Sequence, residues 1–178
     1  MADQAARVLD LLRAAGRTVA TAESLTGGRL AARLTAVPGS SDAYVGGVVS
    51  YATALKVSLL EVPQALADRH GVVSAECARA MAEGVRRATG ASYGVSTTGV
   101  AGPGPQDGVP AGTVYVGLAG PDGSAALALE LPGGRHTVQD RTCEEALSAF
   151  ADMLAGNTGA GNGVDLGVDQ GGEETTLG

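Results

Sequence analysis

The first part of the chain alternates between helical and strand-like spacing of its apolar residues. Four of them recur at helical intervals after a possible cap at Asp3: Ala5, Val8, Leu9 and Leu12. The next segment, "TVATAES", is predicted as a buried strand, and "TGGRLAARL" as a helix that begins near Thr26. A second strand is predicted from about Tyr44 to Tyr51. Helices and strands thus alternate, as in α/β proteins.

The middle of the chain predicts a helix followed by a third strand. Helical structure is predicted between Pro63 and Gly90, and Ser74 is a good N-cap within it. One face of this helix carries apolar residues at helical spacing: Cys77, Met81, Val85 and Ala88. The segment "YGVSTTG" is the third strand and runs into the loop "GVAGPGPQDGVPAG".

The last ordered part predicts a hairpin and a final helix. "TVYVGLA" and "AALALEL" flank the turn signal "GPDGS". Thr137, with Asp140 three residues later, can cap a last helix. The apolar face of that helix includes Val138, Leu147, Phe150 and Leu154.

These elements predict a single α/β domain, a three-layer α/β/α sandwich with a mixed sheet, over residues 1–156. From residue 157 to 178 the composition becomes rich in glycine, with four acidic residues and no basic one. Such a segment is predicted to be a disordered tail, and it carries no function that the sequence identifies.

Composition and charge narrow the classes of function. The net charge of −7 opposes direct binding to nucleic acid, because such binding depends on Lys and Arg that neutralise phosphates. Cys77 and Cys143 form no metal-ligand spacing, so neither a zinc site nor a disulfide framework is predicted, and we expect no cofactor. No segment is long and apolar enough to span a membrane, and we expect a cytoplasmic protein.

Lys56 is the only lysine among the 12 basic residues. A buried lysine can lose its proton and act as a base, which arginine does not do in proteins. If burial or a nearby arginine lowers the pKa of Lys56 from about 10.4 towards neutrality, its amine can take the proton of a serine hydroxyl. Codon usage that leaves one surface lysine is the alternative explanation.

Three clusters of hydroxyl and glycine residues lie near predicted strands: Ser24 with "TGG", Ser40 and Ser41 in "PGSS", and Thr97 and Thr98 before "GVAGPG". In open α/β sheets, ligands bind where strands end and helices begin, and the backbone N–H groups there suit anions. A phosphate-bearing ligand is therefore plausible. The clusters are also consistent with ordinary helix capping. No P-loop and no Gly-x-Ser-x-Gly motif is present, and neither histidine has the spacing of a triad, so a serine activated by an amine remains.

Several blocks in one order resemble the CinA C-terminal domain family, described as competence/damage-inducible protein A. They are "TAESLTGGRLA", "PGSSDAYVGGVVSYATALK", "HGVVSAECARAMAEG", "GVSTTGVAGPG" with "PAGTVYVGL", and "GGR". The resemblance covers about residues 5 to 155. The stand-alone members of the family are nicotinamide-nucleotide amidases.

The resemblance implies hydrolysis of the carboxamide of nicotinamide mononucleotide to nicotinate mononucleotide and ammonia, without metal or cofactor. It implies Ser41 paired with Lys56, with Ser24 as a supporting catalytic residue. The substrate-binding residues would be Thr26, Gly27, Tyr51, Thr98, Gly99, Gly102 and Arg135. It also implies a homodimer.

Several questions stay open on the sequence, among them which of Ser24 and Ser41 is the nucleophile and whether another amide is the substrate. The family name permits a non-enzymatic nucleotide-binding or adaptor module in competence or the DNA-damage response. Glu23 could orient Lys56 or an arginine, or it could satisfy backbone groups at the end of a strand.

Overall fold

A five-stranded sheet in the order β2-β1-β3-β4-β5 forms the centre of the molecule. The computed structural model describes residues 4–156, so the predicted cap at Asp3 and the predicted tail at 157–178 lie outside the described residues. In chain order the elements are α1 (Gln4–Ala14), β1 (Val19–Glu23), α2 (Arg29–Thr35), β2 (Tyr44–Val49), α3 (Thr53–Leu60), α4 (Gln64–His70), α5 (Ala75–Thr89), β3 (Tyr93–Gly99), β4 (Thr113–Gly120), β5 (Gly123–Glu130) and α6 (Arg135–Leu154).

The direction of the strands divides the sheet into two parts. Strands β2, β1 and β3 run parallel, with Val19 of β1 opposite Tyr44 of β2 and Tyr93 of β3. Strands β4 and β5 form an antiparallel hairpin that extends the sheet beyond β3. The mixed sheet is therefore confirmed. The carboxyl ends of the three parallel strands meet at one edge, which is where ligands bind in open α/β sheets.

Helices cover both faces of the sheet with aliphatic cores. On one face α1, α2 and α6 bury residues that include Leu9, Leu34 and Phe150. On the other face α3 and α5 bury Leu60 and Met81. The two helical layers and the sheet between them confirm the predicted α/β/α sandwich.

Several local predictions are confirmed. The third strand spans residues 93–99 as predicted, and Ser74 caps α5 by accepting a hydrogen bond from the N–H of Cys77 at 3.1 Å. The hairpin turn falls between Gly120 and Gly123. Turn residues and apolar spacing are local signals, which explains why they carry this information.

Other boundaries differ from the predictions. Helix α2 begins at Arg29 rather than near Thr26, because Gly27 and Gly28 adopt positive φ angles of 59° and 97° and form a turn. Strand β2 ends at Val49. The predicted cap at Thr137 is wrong, since α6 begins at Arg135 and its N-cap is Gly134.

Helix α3 was not predicted at all. Its apolar residues lie on several sides of the helix, since Leu55 and Leu59 are exposed while Leu60 is buried, so the sequence shows no amphipathic pattern. Gly84 of α5 allows α3 to pack closely, because a Cβ at this position would overlap the carbonyl group of Leu60.

Candidate active site

A cleft opens at the edge where the three parallel strands end. Residues that follow β1, β2 and β3 line it, together with the first residue of α6. They are Ser24, Leu25, Tyr51, Thr53, Lys56, Val72, Val73, Thr98, Gly99, Ala101, Gln106 and Arg135. The cleft combines two cations, several hydroxyl groups and an apolar wall, and this composition suits a polar ligand with an anionic group.

Ser24 lies in the turn that directly follows β1. Its N–H donates to the carbonyl oxygen of Thr97 at 2.9 Å, and its own carbonyl accepts from the N–H of Gly27 at 3.1 Å. The residue is half-buried. These backbone bonds hold Ser24 between the end of the strand and the start of α2.

Lys56 reaches the same place from the inner side of α3. It is 2% exposed, and its Nζ donates to Ser24 Oγ at 3.0 Å and to the carbonyl oxygen of Ser50 at 2.6 Å. None of the ion pairs within residues 4–156 includes Lys56. The structure therefore places a buried amine, with no carboxylate partner, against a serine hydroxyl.

Burial lowers the pKa of Lys56 below its ordinary value, because a buried ammonium loses its hydration. Only in its thiolate form would the neighbouring Cys77 oppose this shift. The thiol itself is protonated near neutral pH, since burial raises the pKa of Cys77 to about 11. Lys56 thus has the environment of a lysine that can act as a base.

The structure does not bring Ser41 to Lys56. Ser41 lies in a short 3₁₀ helix, Ser40–Asp42, that precedes β2, whereas Lys56 follows β2. Because a parallel strand rises about 3.3 Å per residue, the six residues of β2 place the two at opposite edges of the sheet, on the order of 15 Å or more apart. Within this chain Ser41 therefore does not contact Lys56, unlike the predicted pairing, and the hydroxyl that lies against Lys56 Nζ is that of Ser24.

Thr26 and Gly27 do not line the cleft. Thr26 is buried, where its Oγ1 donates to Glu23 Oε2 at 2.6 Å and lies 2.7 Å from Thr97 Oγ1. Gly27 belongs to the turn before α2. Neither of these predicted substrate-binding residues is among those that line the cleft, since Thr26 is buried and Gly27 is exposed in the turn.

Glu23 satisfies backbone groups, which is one of the two roles left open above. Its carboxylate accepts from the N–H groups of Gly28, Leu30 and Ala31 at 2.9, 3.1 and 2.8 Å. These are groups that an α-helix leaves unpaired at its N-terminus. They are consequently not available to an anionic ligand.

Thr98 and Gly99 end β3 at the floor of the cleft. The Oγ1 of Thr98 donates to the carbonyl oxygen of Val72 at 2.6 Å. This bond holds the segment that carries Val72 and Val73 as the apolar wall. Gly99 has a φ of 158°, and a Cβ there would overlap the backbone of β4.

Arg135 connects three parts of the cleft. Its guanidinium donates to the hydroxyl of Tyr51 at 2.6 Å and to the carbonyl oxygen of Gly102 at 3.0 Å. The structure thus brings together Arg135, Tyr51 and Gly102, three of the predicted substrate-binding residues. Gly102 contributes its carbonyl group to Arg135 and is not part of the cleft lining.

The CinA C-terminal domain model matches residues 1–154. The chain belongs to the CinA C-terminal domain family. Its resemblance to this family in sequence is thereby confirmed.

Two relatives show how similar the sequences are and how much of each protein the similarity covers. A CinA-like protein of Frankia casuarinae is 52% identical over 149 residues, which are 84% of this chain and 34% of the relative. A putative competence-damage inducible protein of a Geobacillus species is 43% identical over 150 residues, 84% of this chain and 36% of the relative. The chain spans about a third of the length of these curated relatives.

Solved structures of the CinA superfamily share the fold along nearly their whole length. One is the competence-damaged protein (CinA) superfamily protein of Klebsiella pneumoniae, with 32% identity, a TM-score of 0.83, and coverage of 86% of this chain and 96% of that one. Another is the competence/damage inducible protein CihA of Agrobacterium tumefaciens, with 31% identity, a TM-score of 0.81, and coverage of 85% and 93%.

Some residues of this CinA-family cleft were missed in the sequence. They are Leu25, Thr53, Val72, Val73, Ala101 and Gln106, together with Ser50, which holds Lys56 through its carbonyl group. Leu25, Ser50 and Ala101 could have been found from their positions next to Ser24, Tyr51 and Gly102. The remaining residues have no signal in the sequence, because tertiary packing alone brings them to the cleft.

The described part of the chain has neither a cluster of metal ligands nor a membrane-spanning helix. Within residues 4–156, no three or more His, Cys, Asp or Glu side chains are grouped so that they could hold a metal ion. Among the helices of the described part of the chain, none has the length and apolar character needed to cross a bilayer.

Proposed function

We propose that this chain is a nicotinamide-nucleotide amidase that hydrolyses the carboxamide of nicotinamide mononucleotide to nicotinate mononucleotide and ammonia. The observation that carries the proposal is the 3.0 Å contact between the buried Lys56 Nζ and Ser24 Oγ. A serine beside a desolvated amine is an arrangement for acyl transfer. The substrate is taken from the family resemblance in the sequence.

In the first step, Ser24 is the nucleophile and Lys56 the general base. The neutral amine of Lys56 takes the hydroxyl proton as Ser24 Oγ forms a bond to the carbonyl carbon of the amide. When the tetrahedral intermediate collapses, Lys56 returns the proton to the nitrogen, and the C–N bond breaks to release ammonia. An acyl ester of Ser24 remains.

In the second step, Lys56 activates a water molecule. The amine takes a proton as the water oxygen attacks the ester carbonyl, and it gives that proton to Ser24 Oγ as the ester bond breaks. The product leaves as a carboxylic acid, which loses its proton near neutral pH. The same amine thus acts as general base and general acid in both halves of the reaction.

The turn after β1 also offers a donor for the developing oxyanion. The N–H of Leu25 follows Ser24 directly and makes none of the hydrogen bonds found within residues 4–156. In hydrolases with a nucleophile between a strand and a helix, the amide that follows the nucleophile forms part of the oxyanion hole. Leu25 holds this position here.

Arg135 is the group that we assign to the phosphate of the substrate. It stands at the first residue of α6, where the helix dipole favours an anion, and Glu23 has already occupied the N-terminus of α2. The bond from its guanidinium to Tyr51 holds the side chain in place before the ligand arrives. Preorganisation of this kind reduces the cost of binding.

The test is the release of ammonia from nicotinamide mononucleotide by the purified protein, assayed beside Lys56→Arg. Arginine keeps the positive charge but does not deprotonate in proteins, so we expect ammonia from the wild type and none from the variant. Folding of the variant is checked by circular dichroism. An active arginine variant would contradict the assignment of Lys56 as the base. If the wild type binds the nucleotide without releasing ammonia, the amidase proposal is wrong and the binding-module alternative gains support.

A further inference from the structure

Glu23 is a buried acid that the proposed reaction does not use. Its side chain is 1% exposed, and no ion pair within residues 4–156 involves it. A buried acid without an ionic partner is costly unless hydrogen bonds satisfy it. We infer that Glu23 is the positioning residue that sets the distance between Ser24 Oγ and Lys56 Nζ, an inference that rests on the proposed Ser24–Lys56 mechanism.

The carboxylate of Glu23 closes the turn that carries Ser24. Oε2 accepts from Thr26 Oγ1 and from the N–H groups of Gly28 and Leu30, while Oε1 accepts from the N–H of Ala31. The chain leaves Glu23 at the end of β1, passes through Ser24 and returns to the side chain of Glu23. Ser24 therefore lies in a turn whose two ends, Glu23 and the residues that begin α2, are joined by these hydrogen bonds.

Thr97, near the end of β3, also supports the turn that carries Ser24. Thr26 has one hydroxyl hydrogen, and it is used in the bond to Glu23. The contact of 2.7 Å between Thr26 Oγ1 and Thr97 Oγ1 therefore has Thr97 as its donor. Thr97 also accepts the N–H of Ser24 at its carbonyl group. The end of β3 thus supports the same turn from the neighbouring strand.

The backbone of Glu23 fixes Lys56 as well. Its carbonyl oxygen accepts from the N–H of Ser50 at 2.9 Å, and the carbonyl oxygen of Ser50 accepts from Lys56 Nζ at 2.6 Å. Glu23 consequently positions both groups: Ser24 is its neighbour in the chain, and Lys56 is bound to it through Ser50. The carboxylate makes no contact with Lys56, so this is an effect of position and not of proton transfer.

The predicted consequence is specific to the carboxylate. Glu23→Gln keeps the size of the side chain but replaces one acceptor oxygen with an NH₂ group, which faces backbone N–H donors. The turn must then shift, and a misplacement of about 1 Å near reacting groups can cost about 100-fold in rate. We expect the Ser24 hydroxyl to become less reactive while the overall fold persists.

The experiment follows the sulfonylation of Ser24 by phenylmethanesulfonyl fluoride, measured by intact mass. In this reaction Ser24 Oγ forms a bond to sulfur, fluoride leaves, and Lys56 takes the hydroxyl proton. We expect Glu23→Gln to label at least about tenfold more slowly than the wild type per folded molecule. The matched control is Glu83→Gln, because Glu83 also binds a hydroxyl group, that of Ser124, but lies outside the cleft. It should label at the wild-type rate.

Two further variants and a titration of Lys56 complete the experiment. Ser24→Ala should not label, and Thr26→Val, which removes one of the four bonds to Glu23, should be slower by about threefold to tenfold if Glu23→Gln does not fold. Because Lys56 is the only lysine, ¹³C-labelled lysine gives one side-chain set whose pH titration reports this residue alone. The titration should be unchanged in both variants.

The outcomes separate this inference from the proposed function. Wild-type labelling rates in folded Glu23→Gln, or in folded Thr26→Val where Glu23→Gln does not fold, would overturn the positioning role, and so would a clear fall in the pKa of Lys56. No labelling of the wild type would overturn both the reactive pair and the role of Glu23. Labelling that depends on Glu23, without ammonia from nicotinamide mononucleotide, would support the inference while overturning the proposed substrate.

Discussion

Two serine-containing segments of the chain look alike in sequence and lie at opposite edges of the sheet. "TAESLTGG" follows β1 and places Ser24 in the cleft, whereas "PGSS" precedes β2 and leaves Ser41 exposed in a 3₁₀ turn. Both combine serine with glycine close to a strand. Only the order of motif and strand along the chain differs between them.

This difference shows that strand direction decides which loop can carry the site. All three parallel strands point their carboxyl ends at the cleft, so a residue after a strand enters it and a residue before a strand does not. The edge with Ser41 instead packs against α1, where Arg13 donates to the carbonyl oxygen of Pro38. A motif match therefore needs its position relative to the strand before a role is assigned.

The largest expected contrast is between Ser24→Ala and Ser41→Ala. Loss of the nucleophile in a serine hydrolase removes most of its catalysis, so we expect Ser24→Ala to lower kcat by about 1000-fold or more. Ser41→Ala removes an exposed hydroxyl at the other edge and should leave kcat and KM within about twofold. The measurement is steady-state ammonia release from nicotinamide mononucleotide.

The reverse pattern would break the comparison. If Ser41→Ala were inactive and Ser24→Ala active, the nucleophile would have to be brought to Lys56 by a route other than the contacts within this chain. Equal loss in both variants would show that the edge with Ser41 also takes part in turnover.

A smaller effect is expected for Arg135→Gln, which tests whether the anionic end of the ligand lies at the carboxyl edge. A hydrogen bond to a charged group contributes about 1.5 to 3 kcal/mol, so KM should rise by at least about tenfold while kcat changes little. Arg141→Gln, on the same helix but outside the cleft, is the matched control. An unchanged KM in Arg135→Gln would place the phosphate elsewhere.

The sequence predicts the scaffold well because its signals are local. The alternation of helix and strand, the Ser74 cap and the hairpin turn each depend on neighbouring residues, and the structure confirms them. The buried environment of Lys56 also agrees with the idea that a unique lysine has a special role. These features follow from residue type and spacing.

The arrangement within the site could not be predicted in the same way. Helix α3 buries Lys56 and exposes Leu55 and Leu59, which is the reverse of an amphipathic pattern, so its spacing does not indicate a helix. The partner of Lys56 depends on which edge of the sheet each serine reaches, and strand order is a property of the whole fold. The role of Glu23 depends on the turn at Gly27 and Gly28. Because of this turn α2 begins at Arg29, where the N–H groups at its start can bind the carboxylate.

The smallest expected effect is a change in the free energy of unfolding. It compares Lys56, at the cleft, with Ser41, at the opposite edge of the sheet. No carboxylate of residues 4–156 pairs with Lys56, so burial of its charged form has a cost that the exposed Ser41 does not have. Lys56→Met keeps the length of the side chain and removes the charge. We expect it to stabilise the fold at neutral pH by about 1 kcal/mol, a gain typical of sites where function opposes stability. The melting temperature should rise by about 2 to 4 °C, whereas Ser41→Ala should change the free energy of unfolding by no more than about 0.5 kcal/mol.

The pH dependence of this gain checks its cause. Burial lowers the pKa of Lys56 in the folded protein below the ordinary value of 10.5, so between these two values the unfolded chain binds more protons than the folded one. The stability of the wild type therefore increases with pH across that window. The advantage of Lys56→Met should be complete below the folded pKa and should shrink as the pH approaches 10.5, measured by urea unfolding at a series of pH values. An advantage that stays constant through this window would mean that methionine stabilises by packing, and that Lys56 carries no electrostatic cost at the edge where the site lies.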